Sequence, residues 1–141
     1  MSERRHLLIY YSAAFVNTIG VLVFTRGLTN QTLIEVDPNH FSRFGLIMIM
    51  TWGVCYYACA QAARKHHAIS LTFALEKLIY VLTWISFISG PVNWSQLYER
   101  DLFAGVFYAI YGVIDAIYMS LFLYCAMQTQ RARIGGVTEE Q

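Results

Sequence analysis

Charge is scarce in this chain. Asp, Glu, Lys and Arg make up 13% of its 141 residues, against roughly 25% in soluble domains. They nearly cancel, leaving a net charge of +1. So balanced a chain has no electrostatic footprint for nucleic acid, which is not expected as a partner. Proline occurs twice, at Pro38 and Pro91, in turn contexts that punctuate the long apolar runs. The three cysteines, Cys55, Cys59 and Cys125, all lie inside apolar segments. None sits in a loop where an oxidising compartment would staple it. There is no phosphate loop, nucleophile elbow or zinc-protease motif, and neither an internal repeat nor a low-complexity region.

Apolar residues are what the chain has in excess, at 57%. Four runs, Leu7–Thr25, Phe44–Ala63, Ile69–Gly90 and Leu102–Met127, each approach or exceed the ~20 residues that a spanning helix needs. The pattern predicts an all-α, integral membrane four-helix bundle in one domain, with the lipid bilayer as its first partner. Arg4 and Arg5 precede the first run, as in a signal peptide. That run is too long for a signal h-region, however, and Phe24-Thr25-Arg26 does not resemble a small-residue cleavage site. It reads as a retained helix.

The connections differ in charge. Basic residues mark the N-terminus (Arg4, Arg5), the second connection (Arg64, Lys65) and the C-terminal tail (Arg131, Arg133). The first and third connections are mixed. The positive-inside rule then puts both termini in the cytoplasm. Residues 134–141 have little to bury and read as a flexible tail. Phe41, Trp94 and Tyr98 lie near the outer ends, where amphipathic rings favour the headgroup level.

Asp115 stands near the middle of the fourth run. A carboxylate at that depth costs ~2.5–3.5 kcal/mol even on the lowest scales, so it needs a partner, a water-filled cavity or a proton. At ~1.5 Å rise per residue, Asn17, Trp52, Tyr80 and Asp115 fall at nearly one level, one per helix. Asn17, Tyr80 and Trp52 can each donate to the carboxylate. Tyr108, Tyr111, Tyr118 and Phe122 form an aromatic strip around it. Beside them runs a small-residue stripe of Gly105, Ala109, Gly112, Ala116 and Ser120, which suits close helix approach.

On the third helix, Thr72, Tyr80, Thr83 and Phe87 share the Glu76 side, which marks that side as interior. Lys77 shares its side with Phe73 and Trp84. Side chains tilt toward the helix N-terminus, which disfavours a direct Lys77–Asp115 pair. Arg64 or His67 are the easier partners for Glu76. The candidate ligand-binding residues are therefore Asp115, Tyr80, Trp52, Asn17, Glu76 and Tyr111.

No metal and no cofactor is expected. Cys55 and Cys59 lie one turn apart, but nothing is placed to complete a site around them. His40 lies on the opposite side of the membrane from the other histidines. Asn30-Gln31-Thr32 and Asn93-Trp94-Ser95 both match the glycosylation acceptor pattern.

The segments Gly45–Tyr57, Phe73–Val81 with Trp84, and Phe107–Asp115 resemble a small bacterial four-helix membrane family, the BphX-like group, and more distantly the DoxX-like proteins. The resemblance spans about residues 37–123. Trp52, Glu76, Lys77, Tyr80, Gly112 and Asp115 match its pattern. It implies an architecture in the bacterial inner membrane and no mechanism. The DoxX-like resemblance implies a role near quinone or thiol redox, but this chain lacks the clear redox pair for it.

Three functions are consistent with these residues. One is binding a hydrophobic small molecule, or helping it cross, in a pocket around Asp115. Another is an accessory subunit of a larger membrane complex, or a homo-oligomer, built on the small-residue stripe. The least favoured is an intramembrane isomerase using Glu76 and Asp115 as acid and base. Their depths differ by about six residues, or ~9 Å, which is long for a shared proton transfer.

Overall fold

The computed structural model describes residues 2–138, with side chains through Ile134. The described residues form helices and no strands. Four helices are long and apolar enough to cross a membrane: α1 (Glu3–Phe24), α3 (Arg43–Ala63), α4 (His67–Ile88) and α6, whose apolar span is Leu102–Ile134. The α6 helix continues to Thr138. Of the expected tail, residues 139–141 lie outside the described residues. Two short helices, α2 (Gln31–Val36) and α5 (Trp94–Arg100), fill the first and third connections.

Local chemistry explains the ends. Ser42 caps α3 by accepting from the Gly45 amide at 3.2 Å, and Asn93 caps α5 by accepting from the Gln96 amide at 3.1 Å. Each cap satisfies an amide that the helix itself leaves unpaired. Asn30 caps α2 through the Leu33 amide at 3.1 Å, and its own amide donates to Asp101 at 3.2 Å. Asn30 is buried in this double role, so its glycosylation-like context is structural. Asp101 in turn accepts from the Ala104 amide at 2.8 Å and pairs with Arg26 at 3.0 Å. Arg26, Gly27 and Leu28 all have positive φ (50°, 67° and 68°), a left-handed turn that ends α1. Only glycine adopts that conformation freely.

Packing is densest between α4 and α6 and between α1 and α3. Glycine permits both approaches. A Cβ at Gly112 would overlap the Trp84 ring, and one at Gly53 would come within 2.8 Å of Thr18 Cγ2. Gly105 likewise lies under the Tyr98 ring. Both glycines of the α6 small-residue stripe thus face neighbours in the same chain. The contacts Phe73–Phe122, Lys77–Asp115 and Trp84–Gly112 set one antiparallel register for α4 on α6.

The core has two halves. At the end carrying the termini, Tyr10, Tyr56, Phe73 and Phe122 pack edge-to-face or tilted. At the opposite end the rings are Phe41, Phe107, Tyr108 and Tyr111. Phe41 does not face outward, as an interfacial ring would, but packs into this half of the core. It is 1% exposed, with its ring centroid 5.0 Å from those of Phe107 and Tyr111. The bundle's outer faces carry large exposed apolar side chains, among them Phe15, Val54, Leu75, Leu82 and Ile117. A surface of this kind suits lipid and not water.

Candidate functional site

Between the two aromatic halves lies a cluster of polar groups. Asn17, Glu76, Lys77 and Asp115 are all buried, with Lys77 only 1% exposed. The first turn of the cluster is irregular. Residues Val16–Gly20 form a π-turn within α1, a local widening common at functional sites. It contains Asn17. The Asn17 amide donates to the Ile49 carbonyl at 3.4 Å, and its oxygen accepts from Lys77 Nζ at 3.1 Å.

Lys77 is the hub. Its ammonium donates to Asp115 Oδ1 at 2.6 Å and lies 3.9 Å from Glu76 Oε1. It also sits 5.4 Å from the centroid of the Tyr56 ring and 5.9 Å from that of Tyr80, distances at which ring faces attract cations. The Tyr56 hydroxyl donates to the other Glu76 oxygen. Glu76 Oε1 has no hydrogen-bond partner. Two carboxylates and one ammonium share the cluster, so full ionisation would leave one excess negative charge.

This arrangement corrects several expectations. The Lys77–Asp115 pair forms despite the opposed tilt of the two side chains. The α4–α6 register sets Lys77 level with Asp115, and the four-carbon stem covers the remaining offset. Glu76 is not paired with Arg64 or His67. Arg64 pairs with Glu3, and Glu76 takes the Tyr56 hydroxyl instead. The Glu76 side of α4 turns inward at Glu76 itself and partly at Tyr80, Thr83 and Phe87, while Thr72 is exposed; the side of Phe73 and Lys77 is buried as well. Trp84 donates to the Tyr108 carbonyl at 2.9 Å. The two carboxylates are not separated by a long gap, because both lie within 3.9 Å of one nitrogen.

Of the six candidate residues, Asn17, Tyr80, Tyr111 and Asp115 line one cavity of about 70 Å³, together with Lys77. Its remaining walls are apolar, among them Val21, Phe107 and Ile110. The Tyr111 hydroxyl is buried there without a hydrogen-bond partner. A buried, unmatched hydroxyl costs about 1–3 kcal/mol. Val16, Gly20 and Ile114, at the α1–α6 edge of the cavity, are only partly buried.

Trp52 and Glu76 face elsewhere. Both line a wider groove between α3 and α4, with Tyr80 shared between the two hollows. None of Asn17, Tyr80 and Trp52 donates directly to Asp115. Lys77 takes that place, a residue absent from the candidate set. Its signal was its position: a lysine inside an apolar helix requires a partner as surely as an aspartate does.

Among the described residues, no group of His, Cys, Asp and Glu is arranged to hold a metal. Cys55 and Cys59 pack, half-buried, against the aromatic half of the core at the terminus end, and Cys125 is buried within it. No family model, curated protein or solved structure matches the chain.

Proposed function

We propose that this chain is a multi-pass membrane protein that binds a hydrophobic small molecule, or helps it cross, in the cavity beside Asp115. The observation that carries this reading is the convergence of Asp115, Lys77, Asn17 and the unmatched Tyr111 hydroxyl on one apolar-walled cavity. Pockets of this composition orient ligands with a few polar groups and hold them by apolar contact. At about 70 Å³ the cavity is far below the ~300–1,000 Å³ of pockets that enclose a drug-sized ligand. The ligand therefore seats only a small polar end inside, and its apolar body extends past Val16 and Ile114 toward the acyl chains.

In this reading the four long helices span the bacterial inner membrane. The basic residues Arg4, Arg5, Arg64, Lys65, Arg131 and Arg133 place both termini on the cytoplasmic side. The BphX-like resemblance fits the same architecture.

Native mass spectrometry of protein released from lipid nanodiscs tests the proposal. Wild-type protein is expected to carry a bound small molecule. Ile110→Trp, which fills the cavity, is expected to lose it while keeping its helix content. A wild-type protein that emerges with nothing bound, or an Ile110→Trp variant that retains the same mass, would sink the reading.

A further inference from the structure

The groove between α3 and α4 is separate from the cavity beside Asp115 and approaches the charged cluster from the other side. It measures about 340 Å³, large enough for a whole small molecule. It runs from Asn39 and His40, at the loop end, past Phe44 and Met48 to Trp52, Tyr80 and Glu76. It exists because α3 and α4 touch sparsely compared with the α4–α6 and α1–α3 pairs.

We propose that this groove binds a lipophilic organic cation, with its positive charge seated against the Glu76 carboxylate. Three observations support the assignment. Glu76 is 5% exposed, yet its Oε1 has no hydrogen-bond partner. The cluster carries two acids to one base, and the base is committed to the other acid: Lys77 Nζ lies 2.6 Å from Asp115 but 3.9 Å from Glu76. The cluster is therefore complemented by one further positive charge on the Glu76 side. The groove walls supply the rest of the recognition, because Phe44, Trp52 and Tyr80 line it with aromatic rings, a side-chain type that attracts cations and packs on apolar substituents.

The groups that face Glu76 are the Tyr56 hydroxyl from α3, Lys77 and Tyr80 from α4 itself, and Asp115 from α6. Asn17 of α1 stands behind Lys77. His40, hydrogen-bonded to Asp37 at 2.9 Å, stands at the mouth. A bare proton is the competing occupant of the carboxylate, so cation and proton exclude each other there.

The test is titration of the full chain in nanodiscs with benzyltrimethylammonium, read by tryptophan fluorescence and by calorimetry in two buffers of different ionisation enthalpy. Wild-type protein is expected to bind it, to bind benzenesulfonate at least tenfold more weakly, and to lose affinity for the cation as pH falls. Glu76→Gln retains an acceptor for Tyr56 and is expected to weaken cation binding at least tenfold. Ile110→Trp fills only the cavity beside Asp115 and is expected to leave cation binding unchanged, which separates this site from the one proposed above. If Glu76→Gln does not fold, the pH competition and the charge-reversed probe decide on wild-type protein alone. Equal binding of both probes, affinity independent of pH, unchanged affinity in folded Glu76→Gln, loss of cation binding in Ile110→Trp, or no binding by wild type would each overturn the proposal.

Discussion

Removing Lys77 and removing Asp115 are expected to have very different costs, although the two form one ion pair. At an effective dielectric of about 20, a pair at 2.6 Å gains roughly 6 kcal/mol of gross attraction and one at 3.9 Å roughly 4. Desolvation of all three groups offsets much of this. Lys77→Met forfeits both attractions and leaves two carboxylates buried with no cation, so it should cost about 3–5 kcal/mol. Asp115→Asn loses the larger attraction but keeps a hydrogen-bond acceptor for Lys77. It also brings the cluster to neutrality, since Glu76 remains, and its net cost should be only about 1–2 kcal/mol. In the double variant, the repulsion between the two acids is removed while Glu76 stays without a cation, so the penalty should be relieved in part, giving a coupling of about 1–2 kcal/mol. Reversible unfolding in mixed detergent micelles, followed by far-ultraviolet circular dichroism, measures all three variants. Asp115→Asn proving as damaging as Lys77→Met, or the two costs simply adding, would refute the idea of a cluster with one acid in excess.

Four further outcomes follow from the packing and the polar contacts. Gly112→Val drives a side chain into Trp84 and should lower stability by about 1–3 kcal/mol, seen as a reduced unfolding midpoint in detergent. Tyr111→Phe removes an unmatched buried hydroxyl, so the ligand-free protein should be unchanged or up to ~1 kcal/mol more stable; a clear loss of stability would show that the hydroxyl has a partner. Asp101→Ala should cost about 2 kcal/mol and speed hydrogen exchange over residues 26–33, because a cap and a buried amide contact are lost. Arg26→Ala should cost less than ~1 kcal/mol, because its ion pair is half exposed.

The four long helices were legible as apolar runs; the ends of the first three moved by at most four residues, while the fourth continues from Met127 to Thr138. The 3.6-residue repeat and the loop charges are local properties, readable without a partner helix. The short helices α2 and α5 were missed, although Asn30 and Asn93 announced them. Both fell in glycosylation-like triplets, and a capping asparagine looks the same in sequence as an acceptor one. Asn17 and Asp115 of the expected polar layer both meet Lys77, which that layer leaves out. Side-chain tilt disfavours the Lys77–Asp115 pair, but the α4–α6 register and the four-carbon lysine stem override it. Trp52 lies in the groove between α3 and α4 and not beside Asp115 for a different reason. Depth places a residue along its helix, but rotation about the axis follows from which neighbours pack, and that is a property of the pair.

The two dense helix pairs, α1 with α3 and α4 with α6, form two arms, joined in sequence by the short 64–66 connection and in space by a shared aromatic core. The Lys77–Asp115 contact lies within one arm. The Lys77–Asn17 and Tyr56–Glu76 contacts cross between the arms. If the arms shift, the crossing bonds must break first, while the ion pair travels intact with its own arm. A charge or a guest arriving at Glu76 acts on one of the rivets of that seam.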